Sequence, residues 1–232
     1  MKQLIVNADD FGVAESVNRG IIYGHKNGII TSTSLMINRP YAEEAAQLAK
    51  ENPKLGVGLH FEIIGDDNQI LRGMEKVLAY IALGTFQAEK VTKQFFDQIE
   101  IFKKLIGKLP DHIDGHYHVH KLPVVFPTIK KFCQKYQIPF RMMNKVNFID
   151  SFSTNKFKDA SKENLIKILK TLPDGIFELM THSGFTSEEL RQTSSMSDIR
   201  EKELNILTSP GIKKVIKEEK IKLISWKNVL MI

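Results

Sequence analysis

The stretch KQLIVNADD, residues 2–10, is an apolar run with β-branched side chains that ends at two adjacent acids. It predicts a buried strand over residues 2–8. Apolar residues then recur at helical spacing over 14–27 and stop at Gly28, a residue type that commonly terminates helices. A strand followed by a helix is the building unit of α/β folds.

The rest of the 232-residue chain repeats this alternation. No nucleotide-binding GxGxxG follows the first strand, and no GxxxxGK[ST] occurs. Two segments, 62–85 and 144–160, lack a regular pattern, and a Ser-rich loop is expected over 186–197. Further strands are predicted at 30–37, 55–61, 111–116, 139–143, 175–182 and 221–225, and helices at 40–51, 88–106, 123–136 and 161–171, with one or two more after residue 197.

About seven strands alternating with helices imply a parallel sheet with right-handed crossovers. We therefore expect an α/β fold, with residues 1–232 forming a single catalytic domain as a closed or nearly closed (β/α) barrel. An open doubly wound sheet is the alternative. The composition, 42% apolar and 26% charged, is that of an ordinary globular protein with a sizeable core.

The net charge and the cysteine content limit which partners and which cellular compartment are expected. The net charge is +6, but acids interleave with the bases, as in KKVIKEEKIK at 213–222, so nucleic-acid binding is not expected. No apolar run approaches the roughly 20 residues that cross a bilayer. The lone cysteine, Cys133, falls in a helical pattern and is interpreted as a structural thiol. The N-terminal residues do not resemble a secretory signal, so a cytoplasmic protein is expected.

Four polar clusters fall at the ends of predicted strands, the edge where α/β proteins build their sites. They are Asp9 with Asp10, His60, His116, and His182. Two histidines and a carboxylate are suitable ligands for a catalytic divalent metal. Of the adjacent acids, one would bind the metal and the other would deprotonate water. His182 would protonate the leaving atom.

The run DHIDGHYHVH at 111–120 holds four of the seven histidines. If the strand continues through it, His116, His118 and His120 share one side. We expect His116 to be a ligand and the other two to line the pocket or support the ligands. His112, at the strand start, is interpreted as structural, and so is His25 near a helix end. Asp114 would orient a histidine or bond a loop backbone.

Simpler interpretations remain for two of these clusters. An aspartate before a helix can cap it, which would explain one of the adjacent acids but not both. His60 taken alone is equally compatible with a hydrogen-bonded core histidine.

Together, the motifs resemble the YdjC-type carbohydrate deacetylases, which include the chitooligosaccharide deacetylases. The resemblance spans the chain in the family's order and is carried by IVNADDFG at 5–12, NGIITSTSLM at 27–36, GVGLHF at 56–61, HIDGHYHVHKLP at 112–123 and ELMTHSGF at 178–185.

The resemblance implies a barrel-like deacetylase that removes N-acetyl groups from small sugars with a metal, Mg²⁺ by family and Zn²⁺ by the softness of imidazole ligands. It places the metal on Asp10, His60 and His116, the base on Asp9, and the acid or a substrate contact on His182. Arg141 matches a basic residue that meets sugar hydroxyls or holds Asp9. Three departures, at Gly115, Tyr117 and Ser183, lie near the expected substrate and leave the particular sugar open.

Other functions are compatible with the same residues. The runner-up is a metal-dependent hydrolase of another ester, amide or phosphoester. A non-heme iron oxygenase shares the two-His, one-carboxylate ligand set but gives the second acid no role. A sugar-binding protein without catalysis would not need a base beside the ligand. The sequence leaves the oligomeric state open, and a homodimer is compatible with it.

Overall fold

The computed structural model describes residues 1–65, 75, 78–79, 87–142, 145–149, 152, 160–193 and 197–229. The irregular segments predicted at 62–85 and 144–160 fall mostly outside these ranges. None of the helices in the described ranges is long and apolar enough to cross a membrane.

A parallel sheet forms the centre of the molecule. Its strand order is β4-β3-β2-β1-β6-β5, every pairing is parallel, and β7 pairs with the start of β1. The sheet curls into a half-barrel rather than closing, since β4 and β5 are its two ends in the described ranges. The strands are β1 (Lys2–Phe11), β2 (Ser32–Leu35), β3 (Gly56–Phe61), β4 (Ile113–Gly115), β5 (Val146–Ile149), β6 (Gly175–Thr181) and β7 (Lys222–Leu223).

Helices link the strands. The first of them begin and end close to the predicted positions, because their apolar faces pack on the sheet. Two 3-10 helices, His116–Lys121 and Trp226–Asn228, follow β4 and β7. The helices are α1 (Glu15–Asn27), α2 (Ala42–Glu51), α3 (Ala88–Ile106), α4 (Phe126–Tyr136), α5 (Lys162–Thr171), α6 (Glu188–Thr193), α7 (Ser197–Thr208) and α8 (Pro210–Glu218).

The predicted α/β fold with about seven parallel strands is confirmed, while several local predictions were wrong. The strand expected at 139–143 is reduced to a single bridge between Phe140 and Ile113, because Met142 has a left-handed φ of 62°. Strand β5 instead lies within 144–160, where a short strand at the sheet edge, with one residue buried, one exposed and two half-buried, gives little periodic signal. Helix α6 occupies part of the expected loop at 186–197.

Strand β1 is central and positions the site. It pairs with β2, β6 and β7, and its residues from Leu4 to Phe11 are all buried. A parallel strand covered on both faces is apolar along most of its length, which explains the run that opens the chain. Its carboxyl end projects two acids into the middle of the sheet edge.

Candidate active site

The end of β1 contains a bulge that brings Asp9 and Asp10 into the site together. The strand continues to Phe11, beyond the predicted range of 2–8, and between Ala8 and Phe11 it has one residue more than β2. Successive residues of a regular strand point to opposite faces. Here Asp10 adopts a left-handed φ of 67°, and both acids are buried beside His60. Backbone strain of this kind is often found at functional sites.

Asp10, His60 and His116 converge as a candidate metal site. Asp10 Oδ1 lies 3.5 Å from His60 Nε2 and 3.4 Å from His116 Nδ1. All three donor atoms lie within 4.8 Å of one another. Oδ1 is buried and has no hydrogen-bond partner in the described part of the chain. An unpartnered buried carboxylate oxygen facing two imidazole nitrogens fits a divalent cation.

Asp114 orients the His60 ring. His60 Nδ1 lies 2.6 Å from Asp114 Oδ1, which directs Nε2 toward Asp10. A carboxylate behind a histidine is the usual support of a metal ligand. Of the two roles expected for Asp114, orienting a histidine is therefore the one that the structure places there.

Arg141 holds the second acid. Its Nη1 and Nη2 donate to the two oxygens of Asp9, both at 2.7 Å, and Nη2 also lies 2.9 Å from Asp114 Oδ2. Its Nε donates to Glu178 at 2.9 Å. The guanidinium has no exposed surface. The guanidinium therefore contacts buried acids and has no surface open to a substrate. Of its two expected roles, these contacts correspond to the second, holding Asp9.

Hydrogen bonds behind the acids complete a buried network. Asn7 Nδ2 donates to Asp9 Oδ1 at 2.8 Å, and Ser34 Oγ donates to Asp114 Oδ2 at 2.7 Å. His112 lies 3.1 Å from Ser34 through Nε2 and stacks on Trp226 with 5.2 Å between ring centroids. His112 is thus buried beneath the site, as its structural interpretation predicted.

The histidine run does not continue as a strand. Strand β4 ends at Gly115, and Tyr117 and His118 adopt left-handed φ values of 52° and 57°. The chain turns, so the condition under which His116, His118 and His120 would share one strand face is not met. His120 is fully buried, whereas His118 is half-buried with its ring 5.8 Å from that of His120.

Tyr117 lies at the rim of the site. Its ring centroid is 4.0 Å from that of His116, and 42% of the residue is exposed.

His182 follows β6 and is half-buried. Helix α7 holds its backbone: the amide donates to Glu203 Oε2 at 2.6 Å, and Arg200 Nη1 donates to the carbonyl at 3.4 Å. The same guanidinium donates from Nη2 to Asp10 Oδ2 at 2.5 Å.

Charges set the protonation of the acids. Burial raises the pKa of Asp9, but the charge and hydrogen bonds of Arg141 outweigh it and hold that pKa below its usual range. Burial likewise opposes ionisation of Asp10, and the charge of Arg200 holds its pKa well below the usual range. Glu178 differs because burial prevails there and raises its pKa. Both site aspartates are therefore carboxylates at neutral pH.

The pKa values of the site histidines also shift in both directions. Burial lowers the pKa of His60, but the charge of Asp114 overcomes it and raises that pKa well above the usual value. Burial lowers the pKa of His182, partly offset by the charges of Asp10 and Asp9. Burial also lowers the pKa of His118 to about 4 and that of His120 to about 3.

Several residues of the site were missed by the sequence analysis. Arg200, Glu203 and Glu178 belong to patterns that read as ordinary amphipathic helix and strand. One signal was available for Glu178, because it is a lone acid inside the apolar run GIFELM and must be buried with a partner. Nothing local in the sequence distinguishes Arg200 from the exposed bases around it.

Comparison with known proteins agrees with the geometry. The family model described as YdjC-like protein matches residues 3–218. A carbohydrate deacetylase of Geobacillus stearothermophilus is 33% identical, with 96% of each chain covered. A chitooligosaccharide deacetylase of Proteus mirabilis is 34% identical, with 98% of each chain covered.

Solved structures share the fold. A protein of Enterococcus faecalis V583, named for a proposed role in cellobiose-phosphate cleavage, superposes with a TM-score of 0.84, 27% identity and 99% of each chain covered. A family 4 carbohydrate esterase from Streptomyces lividans, solved with acetate, superposes with a TM-score of 0.59 and 12% identity, over 100% of this chain and 97% of that one. At that identity the second likeness concerns the fold alone.

Proposed function

The chain belongs to the YdjC-like protein family, and we propose that it is a metal-dependent carbohydrate deacetylase that hydrolyses N-acetyl groups of small amino sugars. The observation that carries the proposal is the pair of adjacent acids with separate environments. Asp10 faces two imidazoles, while Asp9 faces an arginine. Hydrolysis needs one acid to bind an ion and another to take a proton.

Asp10, His60 and His116 would hold the ion. Their unpartnered oxygen and facing nitrogens fit it, and they leave positions open for water and substrate. When bound, a divalent ion would lower the pKa of a water and polarise the acetamide oxygen. The family resemblance favours Mg²⁺ and the two imidazoles favour Zn²⁺. The second group of donors, Asp9, His60 and Asp114, fits less well because Arg141 already engages both acids.

Asp9 would be the base. Arg141 and Asn7 fix its two oxygens and keep it charged, so it is oriented before the substrate arrives. Its low pKa makes it a weak base in general, and the acidified water compensates for this. Among the described residues, Oδ2 accepts a hydrogen bond from Arg141 alone, which leaves a lone pair for the proton.

His182 would be the acid. The water oxygen attacks the acetamide carbon, the C–N bond breaks, and the amine nitrogen takes a proton from His182. Because burial lowers its pKa, His182 releases a proton readily once it carries one. The proton on Asp9 returns to solvent and His182 takes up a proton from solvent before the next turnover, and the products are acetate and a free amino sugar.

The substrate would approach past Tyr117 and His118. His118 retains exposed surface, whereas His120 has none, so we assign the sugar contact to His118 and a supporting role to His120. The relatives named as carbohydrate and chitooligosaccharide deacetylases make an N-acetylated mono- or disaccharide the first substrate to test. Arg141 would act on Asp9 rather than on sugar hydroxyls.

The decisive experiment measures acetate released from N,N′-diacetylchitobiose by protein that is stripped of metal and resupplied with Mg²⁺, Zn²⁺, Mn²⁺ or Co²⁺ singly. We expect release to return with one ion and to be lost in Asp9→Asn and His116→Ala. Asp97→Asn, which changes an exposed acid on α3, is the matched control and should retain activity. Release of phosphate from phosphorylated sugars without any acetate release would instead support the phosphoesterase alternative.

A further inference from the structure

Helix α7 reaches the metal site from the far end of the chain. Two of its residues one turn apart, Arg200 and Glu203, are buried, with 3% and 0% of their surfaces exposed. Side chains at positions i and i+3 of a helix share a face. Here that face meets the ends of β1 and β6, and it carries charges where a packed helix normally carries apolar groups.

Arg200 divides its donors between two elements of the site. Nη2 donates to Asp10 Oδ2 at 2.5 Å, and Nη1 donates to the carbonyl of His182 at 3.4 Å. Glu203 accepts from the amide of His182 at 2.6 Å. One turn of α7 therefore forms hydrogen bonds with the amide and the carbonyl of His182 and with one oxygen of Asp10.

The segment after His182 is held from both sides. The amide of Gly184 donates to the carbonyl of Arg200 at 3.2 Å, and the amide of Phe185 donates to the carbonyl of Ser16 at 3.2 Å. Gly20 of α1 permits this approach, because a Cβ there would lie 2.4 Å from the nitrogen of Phe185. The backbone of this segment is thus fixed between α1 and α7.

The arrangement at Asp10 is asymmetric. Arg200 occupies Oδ2, while Oδ1 has no hydrogen-bond partner among the described residues and faces the two histidines. A carboxylate held in this way offers a single oxygen to an ion. Its charge is shared with the guanidinium, so the ion receives less electron density and is bound less tightly than by an unshared carboxylate.

We infer that Arg200 is a positioning residue, which restricts Asp10 to one ligand oxygen, limits the affinity of the site for its ion, and with Glu203 sets the place of His182. The inference rests on the proposed metal site but not on the sugar substrate. It assigns α7 a part in the reaction that its sequence does not suggest.

The test compares Arg200→Met, Arg200→Lys and Glu203→Gln with Lys202→Met, a change of an exposed residue on the same helix. Isothermal titration of stripped protein with Co²⁺ and with Mg²⁺ gives the ion affinity, and the Co²⁺ absorption spectrum reports the ligand geometry. We expect Arg200→Met to bind the ion about tenfold more tightly, because a nearby positive charge is removed, with an altered Co²⁺ spectrum.

Turnover should fall in Arg200→Met even though the ion is bound more tightly. At saturating ion, we expect kcat for acetate release to fall roughly 10–100-fold in Arg200→Met, with little change in KM. Arg200→Lys keeps the charge, so it should bind the ion as the wild type does and lose less activity. Glu203→Gln should leave ion affinity unchanged and lower kcat, because its carboxylate acts through the amide of His182.

The outcomes are distinct. If Arg200→Met binds the ion no more tightly than Lys202→Met, or keeps the wild-type kcat, the inference is wrong. If Arg200→Met does not fold, Arg200→Lys and Glu203→Gln decide through their contrasting ion affinities and rates. Absence of acetate release from the wild type would refute the proposed substrate, while the ion affinities and spectra would still decide the role of Arg200.

Discussion

Arg141 is the counter-ion of three buried acids, and replacing it with methionine should be among the most damaging single changes in the protein. The guanidinium contacts Asp9, Asp114 and Glu178 at 2.7–2.9 Å, and all four side chains are almost fully buried. Arg141→Met keeps much of the aliphatic volume and removes the charge. It would leave three carboxyl groups crowded in a site with little access to water.

The size of the effect follows from the pairing. Removal of one partner from a buried ion pair costs about 3–5 kcal/mol. Three pairs would multiply this figure if the acids stayed charged, but the folded variant can take up protons instead. Glu178 does so first, because burial already raises its pKa. We therefore expect the free energy of unfolding at pH 7 to fall by about 3–5 kcal/mol, and not by several times that amount.

The pH dependence should change sign. In the wild type, Arg141 outweighs burial and holds the pKa values of Asp9 and Asp114 below the unfolded value. The stability they contribute is present above the unfolded pKa of roughly 4 and is lost as the pH falls through the folded values. In Arg141→Met, burial without a counter-ion raises the folded pKa values above the unfolded ones. At these acids the folded variant then binds more protons than the folded wild type, so its stability relative to the wild type rises as the pH falls from 7 toward 5.

Urea unfolding at pH 7 and pH 5 measures both effects. The fluorescence of Trp226, the lone tryptophan, reports the transition because its ring is buried beside His112. Arg191→Met removes an exposed arginine from surface ion pairs and should change stability by less than about 0.5 kcal/mol. An Arg141→Met protein within about 1 kcal/mol of the wild type at pH 7, or one whose stability falls further below that of the wild type between pH 7 and 5, would refute the reasoning.

Three further predictions concern other parts of the chain. Cys133 is fully buried and burial raises the pKa of its thiol, so Ellman's reagent should not react in native buffer and should react at once in urea; rapid native reaction would contradict this. His120 is buried with a pKa of about 3, so the stability gained from its neutral ring is present above the unfolded pKa of 6.5 and is lost as the pH falls toward 3. That loss is about 2 kcal/mol between pH 8 and 5, and His120→Leu should remove it from the pH profile measured by urea unfolding; an unchanged profile would count against this burial. Chelation should lower the melting temperature, and readded ion at a hundred times its Kd should restore about 2.7 kcal/mol in the wild type but not in His116→Ala, as scanning fluorimetry would detect; equal shifts in both would place the ion elsewhere.

The sequence was sufficient for the fold because each strand and helix carries its own signal. The parallel order follows from alternation, and the buried run of β1 explains its central place. Errors arose where a conformation depends on one backbone angle. Met142 reduces the strand predicted at 139–143 to a single bridge. A residue other than glycine or asparagine in that conformation has no reliable signature in a single sequence.

The strand-end residues of the candidate site could be predicted from the sequence, whereas the residues that hold and orient them could not. Asp9, Asp10, His60 and His116 lie at the ends of β1, β3 and β4 along one edge of the sheet, so topology brings them to the same side of the molecule. The bulge that directs both acids into one site is invisible in the run NADDF, where a regular strand would separate them. Arg200 acts across 190 positions, and its partner is set by how α7 packs rather than by any local pattern.

The balance of buried charge connects these observations. Among the described residues, five acids of the site region are almost fully buried, namely Asp9, Asp10, Asp114, Glu178 and Glu203, against the two guanidinium groups of Arg141 and Arg200. Because isolated buried charge is costly, the surplus must be neutralised by protons or by a cation. Protonation of Glu178 and of His60, whose pKa values are both raised, can supply part of this neutralisation. A divalent ion at Asp10 would replace the positive charge of protonated His60. It would also displace the proton from His60, because it needs Nε2 as a ligand. Ion binding should therefore release a proton, and the ion affinity should rise with pH until His60 is neutral.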